Sequence, residues 1–197
     1  PCYNEEEVLP ETSRQLKAVM QSMIDSGKIS SESKIAFVND GSKDNTWNII
    51  STLCTGDGIF AGINLSRNKG HQNALLAGLM TAKKYADAVI SLVADLQDDV
   101  KKIEKMVDNF IAGDDIVYGV RSSRKTDTFF KRFTAEGYYK FMAAMGVEIV
   151  FNHADYRLMS KRALDGLSQY KEVNLFLRGI VPMIGYETDV VYYERHE

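Results

Sequence analysis

Four times in the first 120 residues a short apolar run closes on a polar turn, and each of the first three is followed by a helical pattern; no other feature narrows the fold as far. The runs are Ile35 to Val38, Phe60 to Leu65, the stretch from Ala88 that ends in Asp95-Leu96-Gln97-Asp98-Asp99, and Ile116 to Gly119. Between them, apolar residues recur at helical spacing from about Thr46, from Gln72 to Lys84 and from Lys101 to Ala112. A further amphipathic helix is predicted from Glu5 to about Ser26, with Val8, Leu9, Leu16, Val19, Met20, Met23 and Ile24 on one face and Gly27 as the stop. Strand, turn and helix in alternation predict an α/β fold, a mostly parallel sheet covered by helices on both faces. A chain of 197 residues is long enough for one substantial core and too short for two full-sized α/β domains, so residues 1–197 are expected to form a single domain.

Beyond Gly119 the texture changes. Val120 to Asp127 is a basic, polar loop, and an aromatic-rich helix is expected from about Thr128 to Met145. Its rings suit either a membrane interface or the core, and helical spacing favours the core. Helices from about Ser160 and from Asn174 to Ile184, and a strand near Val190 to Tyr193, complete the reading.

The net charge of -3 excludes a broadly basic nucleic-acid binder, so any basic site is local. Cys2 and Cys54 make neither a disulfide framework nor a metal cluster, as expected of a reducing compartment. No apolar run reaches the ~20 residues that span a bilayer, so the stretch itself is expected to be soluble. Pro1-Cys2-Tyr3-Asn4 reads as the loop after a strand, so a first strand is expected ahead of this chain, with room for membrane segments outside it.

Chemistry is expected where loops leave the carboxyl ends of parallel strands, because ligands of open α/β sheets collect there. Four loops qualify: Tyr3-Asn4-Glu5, Asn39-Asp40-Gly41-Ser42, Asn68-Lys69-Gly70 and Asp95-Leu96-Gln97. They offer a ring to stack on a base, acids for base or ribose donors, a lysine for phosphate, and an acid with an amide for a cation. Taken singly, Tyr3 can pack, Asp40 can form a turn and Lys69 can be a solvated lysine; four such loops on one edge favour a nucleotide diphosphate carried with a divalent cation. Asp95 is placed at the strand end, whereas Asp98 and Asp99 read as caps of the next helix. No dinucleotide fingerprint and no phosphate-loop pattern occurs. The histidines show no metal spacing, and His71 reads as a helix-start residue.

Six motifs in order, Pro1-x-Tyr3-Asn4-Glu5-Glu6, Val38-Asn39-Asp40-Gly41-Ser42-x-Asp44, Arg67-Asn68-x-Gly70, Ala94-Asp95-Leu96-Gln97-Asp98, Asn152-x-x-Asp155-Tyr156-Arg157 and Leu177-Arg178-Gly179, resemble glycosyltransferase family 2. More narrowly they resemble its polyprenyl-phosphate glycosyltransferases. The resemblance covers nearly the whole chain and implies a GT-A fold, with inverting transfer from a UDP- or GDP-linked sugar to a polyprenyl phosphate at the cytoplasmic face of the membrane. It implies a nucleotide-sugar site at Tyr3, Asn4, Glu5, Asp40, Lys69 and Asp95, and Mg²⁺ or Mn²⁺ on Asp95 with help from Gln97. It places Asp155 beside the transferred sugar, as an orienting acid or a general base. Membrane contact would come through regions outside this chain, and a homo-oligomer is left open.

A phosphate monoester is nearly dianionic at neutral pH, so as nucleophile it needs positioning more than deprotonation. Arg121 and Arg124, with Lys131 and Arg132, form a local basic patch suited to phosphate oxygens, and Arg178 joins them as an acceptor residue. Arg121 and Arg124 are therefore counted with Asp155 among the catalytic residues. One departure stands out: where the family has its first acid, this chain has Val93. Two other functions stay open, transfer to a saccharide acceptor and sugar-nucleotide binding with impaired turnover.

Overall fold

The computed structural model describes residues 1–122, 153–170 and 177–194. Helix α1 spans Leu9–Asp25, with Pro10 in its first turn, where a missing N–H costs nothing. It buries Leu9, Leu16 and Met23, two turns apart, and stops at Gly27, whose φ of +69° suits a residue without Cβ. Strand β1, Ile35–Asn39, runs parallel to β2, Phe60–Asn64, in the register Ile35 to Phe60 and Asn39 to Asn64, and α2, Thr46–Gly56, connects them. Cys2 extends this pairing through a parallel bridge to Asn39.

Helix α3, His71–Ala82, leads to β3, Ala88–Ser91. A 3₁₀ turn at Val100–Lys102 then opens α4, Ile103–Ala112, and β4 follows at Ile116–Arg121. The remaining elements are β5, His153–Ser160; α5, Lys161–Leu167; α6, Leu177–Met183; and β6, Thr188–Tyr193. They complete a four-stranded sheet in the order β3-β5-β4-β6. β5 is antiparallel to both β3 and β4, whereas β4 and β6 are parallel, so among the described strands of this sheet β5 is the reversed one.

Side chains alternate across this sheet, and two cores result. Val117, Tyr156, Leu158, Val191 and Tyr193 pack on the face of α1 and α4, while Ile116, Tyr118, Val120 and Met159 pack with α3, α5 and α6. The expected helical cover on both faces is therefore present. Gly119 is required at the crossing of β4 and β5: a Cβ there would stand 2.6 Å from Cδ1 of the buried Tyr156 ring.

The strand predicted from Ala88 is shorter than its apolar run, because β3 ends at Ser91. Asp95 therefore lies in a loop four residues past the strand rather than at its end. Asn152 to Arg157, read as a motif without secondary structure, runs from His153 onward as β5. The expected aromatic helix from Thr128 to Met145, with Arg124, Lys131 and Arg132, lies outside the described residues. Among the described residues no helix is long and apolar enough to cross a membrane.

Candidate active site

Three of the four loops are tied to one another by their own backbone. Asn4, with φ at +56°, donates its N–H to Ser42 Oγ at 3.0 Å, and its side-chain oxygen accepts from Lys43 N–H at 2.9 Å. The Glu5 N–H donates to Thr46 Oγ1 at 2.8 Å, and the Asn45 N–H donates to Glu6 at 2.8 Å. Asp40 is buried, and one of its carboxylate oxygens accepts the Lys69 backbone N–H at 2.6 Å, which joins the loop after β1 to the loop after β2. Gly41 makes that approach feasible: it holds φ at +66°, and a Cβ would stand 2.5 Å from backbone atoms of Arg67 and Asn68. Asp40 and Lys69, predicted as nucleotide ligands, are thus brought together, with the Asp40 carboxylate engaged in fixing the Lys69 loop. Tyr3 is 41% exposed, accessible for stacking. An acidic recess of about 480 Å³ lies beside this weave, lined by Asn4, Glu5, Glu6, Glu7, Val8, Lys43 and Asp44. Four carboxylates against one lysine repel a bare diphosphate.

The fourth loop is anchored from the opposite side. The buried Thr12 hydroxyl of α1 donates to the Ala94 carbonyl at 2.7 Å. Immediately after, Asp95 Oδ1 accepts the Gln97 N–H at 3.1 Å across Leu96, which is held at φ +57°. A leucine in the left-handed region is costly, so the loop geometry is imposed by these contacts. Burial, and then the neighbouring charges of Asp95 and Asp44, raise the Glu5 carboxyl above its ordinary value. Glu5 and Asp95 therefore lie near enough for their charges to interact. Among the described residues no three His, Cys, Asp or Glu side chains gather to hold a metal alone. Mg²⁺ commonly takes one or two carboxylates and fills its shell with water and phosphate oxygens, so Asp95 with Gln97 fits a cation shared with a diphosphate, not a preformed protein cage.

The caps divide differently from the reading of sequence. Asp99 does cap the 3₁₀ turn, accepting the Lys101 N–H at 3.0 Å. Asp98 does not cap: it is buried, and its Oδ1 accepts from the Tyr193 hydroxyl and from Arg121 Nη2 at 3.3 Å. Arg121 Nε also donates to the Tyr193 hydroxyl oxygen at 3.1 Å. The chain turns at Asp98 because an aromatic ring and a guanidinium receive its carboxylate inside the fold. Tyr193 was not anticipated, yet the alternation of β6 contained the signal: Val191 and Tyr193 point inward, and a buried phenol needs a polar partner.

On the other face of the same sheet Asp155 gathers a second charged group. Its carboxylate accepts from Arg157 Nη2 at 2.7 Å, from Gln72 Nε2 at 3.3 Å and from Arg178 Nη2 at 3.2 Å, and meets His71 Nε2 at 2.9 Å. Burial alone would raise this carboxyl; the hydrogen bonds from His71 and Arg178, with the charges of Arg157 and Arg178, override it and hold it well below the carboxylate range. Such a carboxylate is a poor proton acceptor near neutral pH. His71 does start α3, as expected, but its ring is also part of this cluster. Strand alternation thus sets Asp155 and Arg121, assigned to one catalytic centre, on opposite faces of the sheet.

Comparison with known proteins follows the same lines. The model of glycosyl transferase family 2 matches residues 1–167. The chain is 53% identical over 197 residues to the uncharacterized glycosyltransferase YkoT of Bacillus subtilis (strain 168), with 100% of this chain and 58% of that protein covered. It is 38% identical over 201 residues to the bactoprenol glucosyl transferase of Shigella phage SfV, covering 100% of this chain and 62% of that protein. The chain thus spans about three-fifths of the length of these relatives. Among solved structures, S. aureus TarS 1-349 in complex with UDP is similar at a TM-score of 0.60 and 15% identity, over 98% of this chain and 58% of that one. That likeness gives the fold, which is of the GT-A type.

Proposed function

The chain belongs to glycosyl transferase family 2, and from that premise we propose that the whole protein moves a sugar from a nucleotide diphosphate to a polyprenyl phosphate, with inversion at the anomeric carbon. Residues 1–197 serve as its catalytic unit, and regions outside this chain bring it to the cytoplasmic face of the membrane. The observation that carries the reading is the contact of Arg121 with Asp98, which sets a guanidinium against the loop of Asp95 and Gln97. A loop suited to the departing diphosphate and a cation suited to an incoming phosphate stand side by side, as a direct displacement needs. Relatives named bactoprenol glucosyl transferase support a lipid acceptor and a glucosyl group.

In this mechanism Tyr3 stacks on the base, while Asn4, Glu5 and Asp40 keep the nucleotide loops closed on it and Lys69 meets phosphate. Asp95, with Gln97, would hold Mg²⁺ or Mn²⁺, which when bound would supply positive charge beside the diphosphate. Arg121, with Arg124, Lys131 and Arg132, orients the acceptor phosphate so that one of its oxygens forms the bond to the anomeric carbon while the bond to the diphosphate oxygen breaks. No proton needs removal from a dianionic monoester, and Asp155 accordingly orients rather than deprotonates, holding Arg178 and the start of α3. Incubating the whole protein with labelled UDP- or GDP-sugars, undecaprenyl phosphate and Mg²⁺ tests the proposal: label should enter the organic phase. Label that moves only to saccharide acceptors would sink it.

Val93, standing where the family has an acid, supports a second reading in which the sugar nucleotide binds without efficient turnover. Binding with negligible transfer, and transfer gained by Val93→Asp, would select it.

A further inference from the structure

Asp98 and Tyr193 are absorbed neither by the donor site nor by the list of basic acceptor residues, yet they form the most enclosed polar arrangement near either. Asp98 is 2% exposed, and its Oδ2 has no hydrogen-bond partner among the described residues. A buried carboxylate with one oxygen unsatisfied depends heavily on the donors that reach the other. Those donors are the Tyr193 hydroxyl and Arg121, and Arg121 in turn donates to the Tyr193 oxygen, so the three groups close a ring. The ring is braced on both sides. Ser122 sends its N–H and its hydroxyl to the Tyr193 carbonyl, each at 2.9 Å, and the Tyr156 ring meets that of Tyr193 edge-on at 5.3 Å. Tyr156 also donates its hydroxyl to the Asp99 carbonyl at 3.0 Å, fixing the backbone next to Asp98.

We infer that Asp98 and Tyr193 are positioning residues for Arg121, aiming its guanidinium at the phosphate monoester of the acceptor and tying that aim to the loop of Asp95 and Gln97. This rests on the acceptor role proposed above for Arg121. Two features make the arrangement a positioning device and not only a core contact. The Arg121 side chain keeps 29% of its surface exposed, so a guanidinium held by buried partners still reaches the surface. The bonds from Nε and Nη2 orient the plane of the fork, which decides whether phosphate oxygens are met bidentately. Asp98, only one residue past Gln97, transmits any shift of the donor loop to that plane.

The test is calorimetric binding of geranyl phosphate, with inorganic phosphate in parallel, to the whole chain and to Tyr193→Phe, Asp98→Asn, Arg121→Ala and the double variant Tyr193→Phe/Arg121→Ala. Loss of one hydrogen bond to a charged group corresponds to roughly tenfold or more in affinity, so Tyr193→Phe should weaken geranyl phosphate by about tenfold. In the Arg121→Ala background the same change should add nothing, since a positioning residue has no work without the residue it positions. Thermal melts select the folded variants, and Asp98→Asn supplies the same comparison if Tyr193→Phe melts early. Wild-type affinity in Tyr193→Phe and Asp98→Asn, or losses that add independently of Arg121, overturns the inference. Equal affinity for inorganic phosphate overturns the lipid-borne monoester as ligand. The transfer assay above judges the functional reading separately: transfer without these binding effects sinks the inference alone, and coupled binding effects without transfer sink only the function.

Discussion

Removing the charge of Asp155 should destabilise the fold far more than its few contacts suggest, and the reason is Arg157. That guanidinium is 1% exposed, and its Nη2 donates to Asp155 at 2.7 Å. The other donors to Asp155 reach the surface: His71 and Arg178 keep 40% and 46% of their side chains exposed, and a solvated ion pair contributes only about 0–1 kcal/mol. Arg157 has no such recourse, because removing one partner of a buried pair strands the other at about 3–5 kcal/mol. Asp155→Asn should therefore lower stability by about 3–5 kcal/mol and the melting temperature by roughly 6–20 °C. Urea unfolding with an unchanged m-value is the measurement. The pH dependence has a definite sign. A carboxyl depressed in the fold contributes stability above its unfolded pKa of about 3.9, and that contribution fades as pH falls further; the gap between wild type and Asp155→Asn should shrink only below that value. Asp155→Leu combined with Arg157→Met should recover much of the loss, since it removes both charges. A loss below about 1 kcal/mol in Asp155→Asn would refute the reasoning, because it would mean that Arg157 is compensated without Asp155.

Other perturbations read different parts of the site. Asp95→Asn should abolish the Mg²⁺-dependent part of the thermal shift produced by a bound nucleotide sugar, and an unchanged Mg²⁺ increment would remove Asp95 as the cation's ligand. Gly41→Ala forces a Cβ to within 2.5 Å of the Arg67 and Asn68 backbone at a φ of +66°. It should destabilise by at least about 1 kcal/mol and weaken nucleotide binding, measured by urea unfolding and calorimetry. Thr12→Val keeps shape but deletes the hydroxyl that donates to Ala94 at 2.7 Å; about 1–3 kcal/mol should be lost in chemical denaturation, with hydrogen exchange faster at Asp95 to Gln97.

What the sequence disclosed and what it withheld have separate physical causes. Helices and strands with a periodic apolar face were legible, as were the loops between them, because periodicity is a local property of the chain. The predicted α3 from Gln72 and the observed His71–Ala82 differ by a residue or two at each end. Asp98 was misread because capping is a local expectation while its true partners, Arg121 and Tyr193, lie 23 and 95 residues away. Direction was equally hidden: nothing within Asp155 to Ser160 announces that this strand runs against β3 and β4. The value of Asp40 as a strut for Lys69 was hidden too, since an Asp-Gly pair reads as turn chemistry until the second loop is in place.

The reversal of β5 changes how the two charged groups relate. On a parallel strand Asp155 would follow a carboxyl end, in line with the other acids; on a reversed one it lies near the beginning of the strand, two residues before Arg157, whose register partners are Ser91 of β3 and Tyr118 of β4. Alternation then sends Asp155 and Arg157 toward α3 and α6, leaving Tyr156 to brace Tyr193 on the opposite face. One strand thus supports both groups through consecutive residues: Asp155 fixes the Arg178 side while Tyr156 fixes the Arg121 side. β5 thus touches the surroundings of both arginines, whereas the Asp40 and Lys69 loops are held by bonds of their own. Under the proposed function the loops of Asp40 and Lys69 are held by local bonds, whereas β5 braces the surroundings of both acceptor arginines and Asp98 links Arg121 to the loop of Asp95 and Gln97.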